Sequence, residues 1–125
     1  MRLAFMIAVF ALTVPAVASA QSMNAEAFLQ RANKLKAKGP LAVFSGGEIK
    51  ALMNEGKASG DAARMQRLAA VKAGRKPRYC PPEGPQKLGS DEFMARLLAI
   101  PRADRQRITM TEAMTRILTA KFPCR

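Results

Sequence analysis

The chain has 125 residues, with 21 lysines and arginines against 9 aspartates and glutamates, two cysteines, and neither histidine nor tryptophan. That is enough for one domain of ordinary size, but it lacks the commonest general base of enzymes and the ligands that would complete a tetrahedral metal site around two cysteines. Aromatic residues are too few for the stacking platforms of single-strand nucleic-acid binders, so the formal charge of +12 speaks for a different anionic partner.

Arg2 supplies a positive start, and residues 3–14 form an apolar run through Phe5, Ile7, Phe10 and Leu12. Pro15 breaks the run, and Ala18, Ser19 and Ala20 make a small-residue cleavage site before Gln21. The pattern predicts a secretory signal peptide over 1–20, removed from the mature protein. A membrane anchor needs about 20 apolar residues, and this run is shorter and carries a proline. No cysteine near the site offers a lipid attachment, and no transmembrane segment is expected in the mature chain. Residues 21–125 are expected to form a single helical domain, periplasmic or secreted, and export removes nucleic acid as a partner.

Ser22 is the expected N-cap of a first helix through Phe28, Leu29, Ala32 and Leu35, with Arg31, Lys34, Lys36 and Lys38 toward water. Gly39 and Pro40 end it. Leu41, Val43 and Phe44 read as a short apolar link, and Ser45, Gly46 and Gly47 as a turn. Residues 48–72 read as helix, with Ile49, Leu52 and Met53 and then Met65, Leu68 and Ala69 on its apolar face. Gly56 and Gly60 interrupt this stretch and leave open one kinked helix or two, since glycine costs about 1 kcal/mol against alanine inside a helix.

Residues 73–78 close that helix, and from there to Gly89 the chain is rich in proline and glycine and predicts an extended loop that holds Cys80. Ser90 is the expected cap of a further helix with Asp91 and Glu92 in its first turn and Phe93, Met94, Leu97 and Leu98 as its buried stripe. Pro101 stops it. Thr109 and Glu112 have the spacing of a capping box ahead of Met110, Ala113, Met114, Ile117 and Leu118, and Pro123 closes this last helix. The methionines Met53, Met65, Met94, Met110 and Met114 fall on apolar faces and read as core filler. The fold expected is all-α, a small bundle of about four to five helices.

Cys80 and Cys124 form an even pair in an oxidising compartment, which reads as one intramolecular disulfide. A redox pair would want Cys-x-x-Cys spacing. In the chain-entropy model a loop of this length stabilises by about 4 kcal/mol.

The candidate partner-binding residues are charged. Lys72, Arg75, Lys76 and Arg78 form a cluster able to grip an anionic partner, or a solvated face beside a helix C-terminus that favours cations. Glu83 is the one acid in the proline loop; it either accepts from loop backbone, the favoured reading, or reaches into a partner. Arg102, Arg105 and Arg107 form a second basic group around Asp104 and either pair with it or meet acid on a partner. No catalytic, cofactor-binding or metal residue is assigned.

From Cys80-Pro81-Pro82-Glu83-Gly84, through a helix start near Leu88-Gly89-Ser90 and a break at Ile100-Pro101, to Phe122-Pro123-Cys124, the chain resembles the Rap/Tai-type immunity family. These are small exported proteins that protect bacteria against type VI secretion peptidoglycan amidases. The likeness covers about 79–125. It departs in the first half, where members commonly carry further cysteines and this chain has none. The resemblance implies a helical, disulfide-closed fold and a non-enzymatic protein that binds and blocks a partner, an acidic effector or envelope enzyme, with opposite charge speeding the encounter. The composition also fits a cationic protein attached to anionic envelope polymers or headgroups, or a small periplasmic chaperone.

Overall fold

A computed structural model describes residues 22–125; the expected signal peptide and its cleavage site lie outside the described residues. Five α-helices and one 3-10 helix follow in chain order, and the described residues contain no strand beyond an isolated bridge between Asn24 and Thr109.

Helix α1 spans Ala25–Ala37. Its cap is Asn24, whose side-chain oxygen accepts from the N–H groups of Glu26 and Ala27 at 3.0 and 3.1 Å, satisfying two of the donors a helix start leaves open. The expected cap, Ser22, lies two residues too early for that reach. Its hydroxyl instead donates to Glu55 Oε1 at 3.1 Å and accepts from the Thr111 N–H at 3.0 Å. The Met23 N–H joins the same carboxylate at 2.6 Å, and the Met23 carbonyl accepts from Met110 N–H at 2.6 Å. The segment ahead of α1 is thereby tied to two later helices.

The stretch expected as link and turn is a 3-10 helix, Gly39–Ser45. Gly39 takes φ +52°, a left-handed value open to glycine at little cost, and this redirects the chain after α1. Helix α2 then runs unbroken over Gly46–Lys72, about 40 Å at 1.5 Å per residue. Gly56 and Gly60 lie inside it without ending it, so the stretch is one helix. Its buried residues are Leu52, Ser59 and Ala63, spaced i, i+7 and i+11 on one face. Small residues there let α5 lie close. Of the apolar residues expected to be core, Leu52 is buried, whereas Met53, Met65 and Leu68 are exposed, because α5 seats on the side that carries Ser59 and Ala63.

Gly74, at φ 72°, closes α2: its N–H bonds Val71 O at 3.0 Å and the Arg75 N–H bonds Ala70 O at 2.8 Å, the paired pattern of a glycine-terminated helix. The extended segment 75–89 follows. Helix α3, Ser90–Ala99, starts one residue after its cap position, Gly89, and carries Asp91 and Glu92 in its first turn. Leu97 is fully buried, whereas Leu98, expected in the stripe, is exposed; it lies about 100° round from its neighbour on a helix with one covered side. After Ile100 and Pro101 comes a single turn, α4 (Arg102–Arg105), that the apolar pattern did not mark. Helix α5 covers Met110–Lys121, with Thr109 Oγ1 accepting from Glu112 N–H at 3.2 Å.

The core gathers Ala25, Phe28 and Leu29 of α1, Leu52 of α2, Leu97 and Ile100, and Met110, Ala113 and Ile117 of α5. Phe28 meets Phe93 edge to face at 5.8 Å, a favoured aromatic geometry. Each large side chain buried here stabilises by about 1.5–3 kcal/mol. Met114 joins a second cluster with Ala63 and Tyr79. Cys80 and Cys124 form the expected disulfide, 44 positions apart. No helix among the described residues is long and apolar enough to cross a membrane.

Candidate docking groove

The disulfide pins the proline loop to the far end of α5, and hydrogen bonds extend that seam. Cys80 N–H donates to Phe122 O at 2.8 Å, and Thr119 Oγ1 donates to Arg78 O at 3.1 Å. Lys121 Nζ bonds Lys87 O at 2.8 Å and Glu92 Oε2 at 2.7 Å. Arg78 grips Glu112 with two bonds, at 2.6 and 2.8 Å, a bidentate geometry that fixes direction as well as distance. The loop's partners in these bonds come from α5 and its C-cap Phe122, and Lys121 ties the same seam to α3, so the loop stands as a wall.

Facing that wall is α2, and between them lies an open groove of about 1190 Å³. Phe28, Leu52, Phe93, Met114, Leu118 and Phe122 give it an apolar lining drawn from four helices and the end of α5. On the α2 side Met53, Gly56, Lys57, Gly60, Arg64 and Arg67 line it, at spacings that share one helix face. The loop contributes Tyr79, Pro81, Pro82, Glu83 and Leu88. Tyr79 is buried, with the Arg67 guanidinium 5.5 Å from its ring centroid, within cation–π range. A methyl group built on Gly56 or Gly60 would meet nothing within 4 Å. Their bareness is therefore not demanded by packing inside the chain, and it leaves α2 backbone open to the groove.

The charged residues singled out from the sequence are dispersed by the fold. Lys72, Arg75 and Lys76 are exposed at the C-terminal end of α2 and make no ion pair with a described residue. Arg78 is committed to Glu112. Glu83 sits on the rim of the groove, exposed, and bonds no described group, against the favoured expectation that it would tie the loop backbone. Gln86 does that work, its Nε2 donating to Pro82 O and Gly84 O at 3.5 and 3.4 Å. Arg102, itself exposed, reaches the buried Glu26 at 3.5 Å, and Arg107 reaches Asp104 at 3.8 Å near the surface.

Arg105 is corrected outright. It is buried, bonds Glu26 Oε2 at 2.6 Å and Leu98 O at 3.1 Å, and also donates to Ile100 O. A guanidinium has five donors and no charge-neutral form at ordinary pH, and these acceptors hold it as an internal strut between α1, the end of α3 and α4.

The carboxylates respond to their arginines and lysines. A hydrogen bond from Arg105 holds the Glu26 carboxyl below its ordinary range; Arg31 does this for Glu48, Lys121 and then Arg96 for Glu92, and Arg78 for Glu112. No group of three or more metal-ligating side chains occurs among the described residues.

Sequence reasoning missed the basic rail Lys57, Arg64 and Arg67. The signal was present, since Lys57 and Arg64 are seven apart with Gly60 between them, but the apolar period of α2 drew attention to the wrong face. No protein-family model, no curated protein and no solved structure matches the chain.

Proposed function

We propose that this chain is an exported, non-enzymatic helical binding protein that docks on a partner protein and blocks it, as its resemblance to Rap/Tai-type immunity proteins implies. The observation that carries the reading is the groove itself: apolar inside, basic along α2, with one wall held by the disulfide. A preformed concave apolar surface with a few placed charges is how proteins commonly receive a ligand or a partner segment, and holding it rigid lowers the ordering cost of binding. The signal-peptide pattern and the cysteine pair support an oxidising compartment. Lys57, Arg64 and Arg67 favour an acidic partner surface.

The test is capture by the tagged protein from a periplasmic extract at low and moderate salt, beside a Gly60→Leu variant that projects into the groove from a position where a Cβ meets nothing within 4 Å. One protein bound in stoichiometric amount at moderate salt, and lost with Gly60→Leu, supports the reading. Capture unaffected by the variant, or only wall and lipid material released by salt, overturns it. A second reading has its own observation: exposed Met53 and Met65 are the adaptable side chains of promiscuous surfaces. A chaperone of this kind would suppress aggregation of several unrelated unfolded proteins, which a blocking protein would not.

A further inference from the structure

At the corner between α1 and α2, away from the groove lining, the 3-10 helix Gly39–Ser45 presents an apolar tip. Leu41 is 65% exposed, Val43 73% and Phe44 86%. Three residues per turn put positions i and i+3 on one edge, so the segment has three edges. Ala42 and Ser45 share the edge turned toward the protein and are half-buried. Leu41 and Phe44 share a second edge, and Pro40 and Val43 the third, both outward. The small residues face in and the large apolar ones face out, the reverse of what burial alone would select.

The helix segments that flank the tip are rich in cations. Between Glu26 and Glu55 the chain carries five basic residues (Arg31, Lys34, Lys36, Lys38 and Lys50) and one acid, Glu48. That acid is consumed by Arg31, bonded at 2.5 and 2.6 Å. Lys34, Lys36, Lys38 and Lys50 are exposed and make no ion pair with a described residue, and Lys38 Nζ folds back on Ser45 Oγ at 2.7 Å. The corner therefore joins three exposed apolar side chains to flanking segments that carry four lysines with no ion pair to a described residue.

We infer that this corner is a membrane-surface anchor, in which Leu41, Val43 and Phe44 enter the headgroup region of an anionic bilayer while Lys34, Lys36, Lys38 and Lys50 meet its phosphates. A protein partner is the poorer fit, because a stable interface takes about 800 Å² from each side and three side chains on a one-turn-wide rod offer far less. A bilayer interface asks only for a shallow wedge with charge behind it, and two weak signals together give lasting attachment where either alone does not. Each lysine held near an anionic surface strengthens binding about fivefold. The anchor is independent of the groove, so it stands or falls apart from the function proposed above.

The experiment uses the protein from residue 21 onward, so that the apolar leader does not contribute, with vesicles of phosphatidylcholine alone or mixed with phosphatidylglycerol. Sedimentation should show binding to the anionic vesicles only, weakening as salt is raised. Phe44→Asp should weaken it by at least about tenfold, the loss expected for one buried aromatic side chain, with an unchanged melting curve because the position is exposed. Replacing Lys34, Lys36 and Lys38 by glutamine should cost binding as well, and Gly60→Leu should not. Since the chain has no tryptophan, Phe44→Trp gives a single probe whose emission should shift to the blue on anionic vesicles and be quenched by brominated acyl chains. Equal binding to both vesicle types, full binding by Phe44→Asp, or a tryptophan that stays in water would overturn the inference. So would an Asp variant that keeps its vesicle binding but loses a protein from the extract, which would make the tip a protein contact.

Discussion

Arg105 and Glu26 show how far a single residue's role can depend on context invisible in the chain. From the sequence, Arg105 is one of three arginines near an aspartate; in the fold it is enclosed, and its charge is met by a carboxylate 79 positions away. Removing one member of such a pair strands the other, which is worse than removing both. Arg105→Met should therefore lower the thermal midpoint more than the double change Glu26→Gln with Arg105→Met, and a melt of each variant checks the order. Glu26, Glu48, Glu92 and Glu112 all hold their protons more weakly folded than unfolded. Their stabilisation is complete above the unfolded carboxyl value of about 4.3 and is lost as pH falls through the lower folded values. With no histidine in the chain, stability should be flat between about pH 5 and 8 and decline below about 4.5, as read by denaturant titrations across that range. The sequence displayed the carboxylates and the cations, but not which of them meet, because pairing across 79 or 34 positions is decided by helix packing.

At the scale of elements, helix α5 was legible almost to the residue, since Thr109, Glu112 and a regular apolar stripe agree with one another. Helix α2 was legible in extent but not in orientation. Of its apolar residues Leu52 is buried, but Ser59 and Ala63 rather than Met53, Met65 and Leu68 complete the buried face. Close approach to α5 outweighs side-chain hydropathy there, and single-helix periodicity carries no term for the neighbour. The 3-10 helix and α4 are too short to generate a period at all. Gly56 and Gly60 lie inside a continuous helix with open space where a methyl would go, so Gly56→Ala and Gly60→Ala should each stabilise by up to about 1 kcal/mol. Urea unfolding measures this directly. A loss of stability on either change would mean that the backbone approaches something at those positions even in the isolated chain.

Taken whole, the molecule is a helical frame in which one covalent bond joins a proline loop to the end of the last helix. The cysteine pair was readable from composition and compartment, but the groove was not, because its walls come from segments far apart in the chain. Reduction, or Cys80→Ser with Cys124→Ser, should cost about 4 kcal/mol in the chain-entropy model, seen as an earlier urea midpoint for the reduced protein. The placement of that bond also governs when the molecule becomes competent. Helix α2 is finished by residue 72, yet the helix it rests on, α5, begins at 110, and the second sulfur follows at 124. On the export proposed above, a chain crossing N-terminus first therefore lacks the loop wall and the α5 lining of the groove until almost all of it has crossed. Contacts of such long sequence separation form late, and here the covalent closure and the docking surface are completed by the same final segment. On that proposal, the groove cannot receive a partner until the chain is out.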